Sequence, residues 1–424
     1  IDVKSATKEW RLRTLGLMVS GDSERKTLVL DSDAVDAEVE GQFRFSEMPA
    51  MVTGILAEAL PAYVKAPAGK ELAPADFSYS LTVKDAPELY DALGVPVTPG
   101  APVRLFGTGD NNVITANVDA PYILKGNKLW KGISLKARAS RNKGIDIDAG
   151  GKFPGKKGYI EAGINAEARD NGVDAMLKWS FENGADGGYV DLGMQIVNND
   201  EGKDSYLFSF NDADIVVNGA HWGMSPARAE LTGKLLDIDN LRIGNGNQYI
   251  HIDGSASDLP GDTITVTLSD IDLAYIFNTL NINYVTFGGM VSGKALASEI
   301  FSKTPYLETR DLHATDFSYN YANVGSADLY GRWENADKSV RIEADIDNGR
   351  GNHTTVDGNI FVTRDSLAIN FDADKINIAL IQPFLSNILD DVQGEGSGQL
   401  TLYGTFKDIT MTGKAYADEA SVKV

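Results

Sequence analysis

Four histidines, His221, His251, His313 and His353, are the side chains best suited to proton transfer or metal binding near neutral pH. No two stand at metal-ligand spacing, and each lies in sequence that reads as strand or loop. Cysteine is absent, which excludes a disulfide framework, an iron–sulfur cluster, a thiolate zinc site and a cysteine nucleophile. There is no Gly-x-Ser-x-Gly elbow and no phosphate-loop lysine pattern. Gly107-Thr108-Gly109 and Gly244-Asn245-Gly246 lack a third glycine and a following helix, so they read as turns. The oxygen-rich run Asn198 to Gly202 lacks the spacing and the closing Glu of a calcium loop. Carboxylates are paired at Asp146/Asp148, Asp237/Asp239, Asp270/Asp272 and Asp390/Asp391. A glycoside hydrolase needs two carboxyls facing each other across a groove. A pair at i and i+2 instead shares one polar strand face, where solvation accounts for it. The expectation is a chain that is not an enzyme and carries no cofactor and no metal.

Composition narrows the partners. The 424 residues hold 39 Lys and Arg against 60 Asp and Glu, a net charge of −21 at pH 7. That balance disfavours nucleic acid, whose binding relies on clustered cations, and a basic patch docked on an anionic membrane. At 43% hydrophobic residues the chain can bury a sizeable core, yet no run of about 18 apolar residues marks a transmembrane helix. With 43 glycines and only 14 prolines, the chain suits many turns between strands. Ile1 opens directly on charged sequence with no signal peptide, so the chain reads as an internal piece of a longer protein.

The elements that would position any site are mostly strands. Helical spacing is confined to Ala50–Leu60 after Pro49, Pro87–Leu93, Leu273–Leu280 and Asn377–Leu389, the last interrupted by Pro383. Elsewhere apolar residues alternate. Val173, Ala175, Leu177, Trp179 and Phe181 share one strand face; Val190, Leu192, Met194 and Ile196 share the next. Val340 and Ile342, then Leu367, Ile369 and Phe371, repeat the pattern. Period-two alternation with short Gly, Asn and Asp spacers predicts neighbouring antiparallel strands with one apolar and one wet face. The first two stripes should pair with their apolar sides together.

A repeat closes the chain. Ile271–Phe277 is similar to Ile376–Gln382, and Ser292-Gly293 to Ser397-Gly398, each displaced by 105 residues. The expected organisation is a β-rich segment with two short helices over 1–110 and an antiparallel meander over 111–217. Two related modules over 218–320 and 321–424 follow, the whole expected to form one continuous body. The expected fold is mostly β: an elongated, curved, mainly antiparallel sheet with a few short helices.

Several of these segments carry a resemblance. Asn218-Gly-Ala-His-Trp222-Gly-Met-Ser-Pro226 and Gln248-Tyr-Ile-His-Ile-Asp-Gly254 resemble segments of TamB-like proteins of the AsmA-like superfamily. The strand and short helix over Asp262–Phe277, and the Gly-punctuated run Gly394–Gly413, resemble recurrent elements of that family, although Thr410 stands where Pro is usual. Gly41-Gln-Phe-Arg-Phe45 before a Pro-bounded helix is similar as well. The resemblance covers roughly the second half of the chain. It implies a U-shaped β-groove (a β-taco) in the periplasm of a Gram-negative bacterium, anchored in the inner membrane by a segment outside this chain. It also implies lipid transport, outer-membrane biogenesis and protein secretion.

On that reading Val173, Leu177, Trp179, Phe181, Val190, Leu192, Met194, Ile196, Val340, Ile342, Leu367, Ile369 and Phe371 line a groove for acyl chains. The partners would be phospholipid or another acyl lipid, and an outer-membrane barrel assembly protein. The alternatives are a scaffold that assists outer-membrane protein assembly by strand addition and a non-catalytic carbohydrate-binding β-solenoid. A transmembrane β-barrel would need aromatic girdles at both strand ends, which the scattered aromatics do not supply.

Overall fold

The computed structural model describes the chain apart from residues 1, 5–8, 12, 23–24, 70–71, 88–89, 91–96, 156–157, 183, 185, 199–203, 218, 275–286, 320–321, 350, 382–389, 407 and 424. Strand dominates, with one α-helix and two 3-10 turns among the described residues. The residues form two compact units, Ile1–Pro226 and Ala227–Val424. Residues 110 and 111 fall at the turn joining Val103–Asp110 to Val113–Lys125, which pair as a hairpin. The boundary at 320/321 lies outside the described residues.

In the N-terminal unit, successive strands from Leu15–Gly21 to Ala220–Met224 pair antiparallel with their chain neighbours. The short strand Val97–Pro99 is the interruption: Asp76–Val83 pairs directly with Val103–Asp110, and Val97–Pro99 joins Val113–Lys125. Short polar turns make this order inevitable, since a parallel neighbour would need a crossover of a dozen residues or more.

The helix Met48–Ala59 follows from its sequence. Pro49 sits in the first turn, where its missing N–H costs nothing, and Met51, Ile55 and Ala59 fall on one face. That face packs on Phe43, Phe77 and Ala139, with Val39, Tyr79, Ile114 and Ile145 around them. Polar clips hold it against three hairpin turns. Arg141 donates to Glu58 Oε1 at 2.7 Å and to the Asn111 carbonyl at 2.8 Å. Asn111 in turn pairs with the backbone of Ala73 and Ala75. The Asn171 N–H donates to the Ala59 carbonyl, while Ala62 N–H donates to Asn171 Oδ1 at 2.6 Å. Gly54 makes room for this, because a Cβ there would stand 3.0 Å from the Arg141 guanidinium.

In the C-terminal unit the meander continues from Ala227–Thr232 to Asp408–Lys423. The two 105-residue modules share their local geometry. The strand Thr263–Asp272 is bulged between Leu268 and Ile271, opposite Gly293 and Val291. The strand Ser366–Asn377 is bulged between Ala373 and Ile376, opposite Gly398 and Gly396, each position 105 further on. Asp270 and Lys375 take left-handed backbone angles, and their N–H groups donate to Ser292 Oγ and Ser397 Oγ, both at 2.9 Å. Asp272 Oδ1 and Asn377 Oδ1 each accept from the N–H two residues on, opening a short helical turn. Gly293 and Gly398 are required: a Cβ would stand 2.5 and 2.2 Å from the facing carbonyl oxygen. Bulges bend a strand and increase its twist, so both modules bend where the repeat begins. Of the other expected helices, only Pro87 and Tyr90 of the second segment, 273–274 and 377–381 are among the described residues, and Asn377 closes a strand.

Candidate functional site

The groups with acid–base potential are satisfied by neighbours on the polar faces. His221, His313 and His353 pair with Asp214, Asp328 and Asp345 through Nδ1, at 2.9, 2.7 and 2.8 Å. His251 Nε2 meets Asn240 Oδ1 at 3.0 Å. Each partner comes from an adjacent strand or turn, and all four rings lie in exposed surroundings. The hydrogen bond to Asp345, reinforced by its charge, raises the His353 pKa. Glu308 is the shielded acid, its side chain 7% exposed. The Tyr306 hydroxyl donates to it, and Arg310 Nε donates at 2.6 Å. The Tyr306 bond, then the Arg310 guanidinium, hold its carboxyl below the ordinary range, so it is an anion already partnered. Asp148 accepts from Asn165, and Asp270 from Ser292. Among the described residues no group of three His, Asp or Glu side chains is placed to hold a metal.

The apolar faces are organised differently. Register aligns one residue per strand into a single row across the N-terminal unit. The row runs Leu17, Leu30, Ala37, Leu81, Leu105, Val118, Leu135, Ala149, Ile164, Leu177, Val190, Ala213. Every member is aliphatic. At about 4.8 Å per strand the row spans roughly 50 Å. Only Ala213 is buried; the others are partly or largely exposed, Leu177 at 40% and Leu17 at 66%. A sandwich core would seal such a row beneath a second sheet about 10 Å away.

Four residues nearer the turns at 111–112, 141–143 and 170–171, a parallel row holds Phe77, Ile114, Ala139, Ile145 and Ala168. This is where the helix packs. The apolar face therefore has a covered strip and an open strip about 13 Å apart.

The residues expected to line a groove are placed as follows. Val173 pairs with Met194, Ala175 with Leu192 and Leu177 with Val190, so the two stripes share a side as expected. Trp179 and Phe181 continue that side against Ala162 and Ile160. Ile196 ends the stripe and is buried. In the C-terminal unit, Val340 and Leu367 flank Ile360, Ile342 and Ile369 flank Gly358, and Phe371 pairs with Val356. A row of small or aliphatic residues lies beside them: Ile271, Val291, Ala314, Ala327, Ile346, Thr354, Ala373, Gly398. Its side chains are among the most buried of the unit. They lie along the line of bulges, so the strand bends close over them.

Sequence reading missed the middle of the long row. Leu105 stands in a strand where Gly107 and Gly109 interrupt the alternation, whereas Leu81, Val118 and Ile164 stand in runs that alternate with Tyr79, Ala116 and Ala162. Register with the neighbours on either side is the signal that finds them. The wet face of the same strands carries a depression of about 910 Å³ floored by Gly150 and Gly163 and lined by Lys152, Glu161, Asn165 and Lys178. No helix of the described residues is long and apolar enough to cross a membrane.

No protein-family model, curated protein or solved structure matches the chain.

Proposed function

We propose that the chain is a segment of a cell-envelope protein that conducts acyl lipid along its apolar sheet face. The carrying observation is the row from Leu17 to Ala213: unbroken, aliphatic and only partly covered. Each methylene removed from water contributes about 0.8 kcal/mol, so an acyl chain on such a face avoids on the order of ten kcal/mol of exposure. One leaflet of a bilayer is roughly 15 Å of hydrocarbon, so the row is long enough for several acyl lengths in file. Movement along it exchanges one aliphatic contact for another, and no step needs a catalytic group. The site is then periplasmic and the cargo a phospholipid. The resemblance to TamB-like proteins supports the same reading, with an inner-membrane anchor and an outer-membrane assembly partner outside this chain.

One observation favours the strand-addition scaffold. In the strand Leu15–Gly21, Leu17 and Met18 point to opposite faces, and both are more than half exposed. An extended partner segment could lie there.

The test is to purify the chain from a Gram-negative envelope and identify bound lipid by native mass spectrometry. The expected result is glycerophospholipid on the chain. A chain that carries none, and takes none up from vesicles, contradicts the reading.

A further inference from the structure

The two ends of the strands in the N-terminal unit are chemically unlike. The turns at 111–112, 141–143 and 170–171 lie under the helix and its clips. The opposite ends, around the turn at 126–127, gather aromatics and lysines. Trp130 and Phe153 meet edge to face at 5.4 Å on the apolar side. Lys125 Nζ lies 5.4 Å from the Trp130 ring, and Lys131 Nζ 4.0 Å from the Tyr159 ring. Lys128 faces Lys125 directly across the hairpin on the side of Trp130, while Lys131 faces Lys152 on the wet face. Like charges placed opposite each other destabilise a sheet. Among the described residues, Lys125, Lys128 and Lys131 have no carboxylate ion pair, while Lys152 has Glu161 at 3.3 Å. The setting in sequence is as unusual. From Ala120 to Ile145 the chain holds Lys125, Lys128, Lys131, Lys136, Arg138, Arg141 and Lys143 and no acid, within a protein of net charge −21.

We propose that this end of the sheet holds the phosphate headgroup of an anionic phospholipid whose acyl chains lie on the open row. The inference rests on the conduit reading and orients the cargo within it. Trp130 and Phe153 stand where aromatic rings mark the boundary between hydrocarbon and water. The lysine stems run along that boundary with their ammonium groups in water. An anion there relieves the opposed pair Lys125 and Lys128. At the other end the helix occupies the apolar strip and Glu58 already takes the Arg141 guanidinium, so a phosphate gains nothing.

The experiment uses the whole chain and mixed vesicles of phosphatidylglycerol and phosphatidylcholine. Lipid retained on the chain after its separation from the vesicles is quantified by mass spectrometry. The expected result is enrichment of phosphatidylglycerol over the vesicle ratio. A Lys125→Gln/Lys128→Gln variant should lose that enrichment by about tenfold or more while still carrying phosphatidylcholine. A Lys136→Gln/Lys178→Gln control, altered on the wet face, should keep it. These lysines are exposed, so circular dichroism should be unchanged in both variants. Enrichment that survives in the Lys125→Gln/Lys128→Gln variant, or is lost equally in the control, overturns the headgroup assignment and leaves the conduit standing. No retained lipid of either kind in the parent chain brings down the conduit itself.

Discussion

Leu177→Asp should leave the sheet folded and empty it of lipid. Leu177 sits in the open row between Ile164 and Val190, and water already reaches 40% of it. The new carboxylate can remain hydrated, so the cost is the lost apolar contact plus the poor strand propensity of Asp, about 1–2 kcal/mol. The far-ultraviolet circular dichroism should match the parent, with a lowered melting temperature. Lipid behaves differently. An acyl chain sliding over position 177 would have to desolvate a charge, a penalty of several kcal/mol at one point of a path that is otherwise level. Bound lipid should fall by tenfold or more. Unfolding of the variant would instead mean that the row is a sealed core.

The same chemical change at Ile55 should have the opposite character. Ile55 is 1% exposed, pressed between the helix and the strip formed by Phe77, Ala139 and their neighbours. Asp there finds no partner, and Ile55→Asp should cost several kcal/mol, at least the 2–5 of a large-to-alanine change. The helix should detach. Hydrogen exchange should show loss of protection across Met48–Ala59, and proteolysis should accelerate in residues 60–75. If the helix stays protected, the covered strip is not what holds it.

Much of this fold was legible because a half-covered antiparallel sheet writes itself as alternation. Val173 to Ile196 could be paired by counting, since the turn between the stripes is short. The 105-residue repeat was legible because its bulges depend on particular residues: Gly293 and Gly398 at a close backbone approach, Ser292 and Ser397 as acceptors for a turned-out N–H. The long row was not legible. It is a property of register across many strands, which the alternation within any one strand does not record. The role of the helix was hidden for a related reason. Its spacing revealed that it forms, but the face it covers is assembled from strands up to a hundred residues further on. The basic strand end was masked by the −21 total, because a sum over the chain erases a local pair such as Lys125 and Lys128.

The absence of native cysteine makes the central claim directly measurable. Single thiols placed by Leu135→Cys and Ile164→Cys lie on the open row, and one placed by Ala139→Cys lies on the covered strip. Labelling with a water-soluble maleimide is followed in lipid-stripped and in phospholipid-loaded protein. An open, occupiable apolar face predicts fast labelling at 135 and 164 when stripped, strong protection there when loaded, and slow labelling at 139 throughout. Thiols at 135 and 164 that are inert in both states would show a sealed core. Thiols that react equally in both would show a face that lipid never occupies.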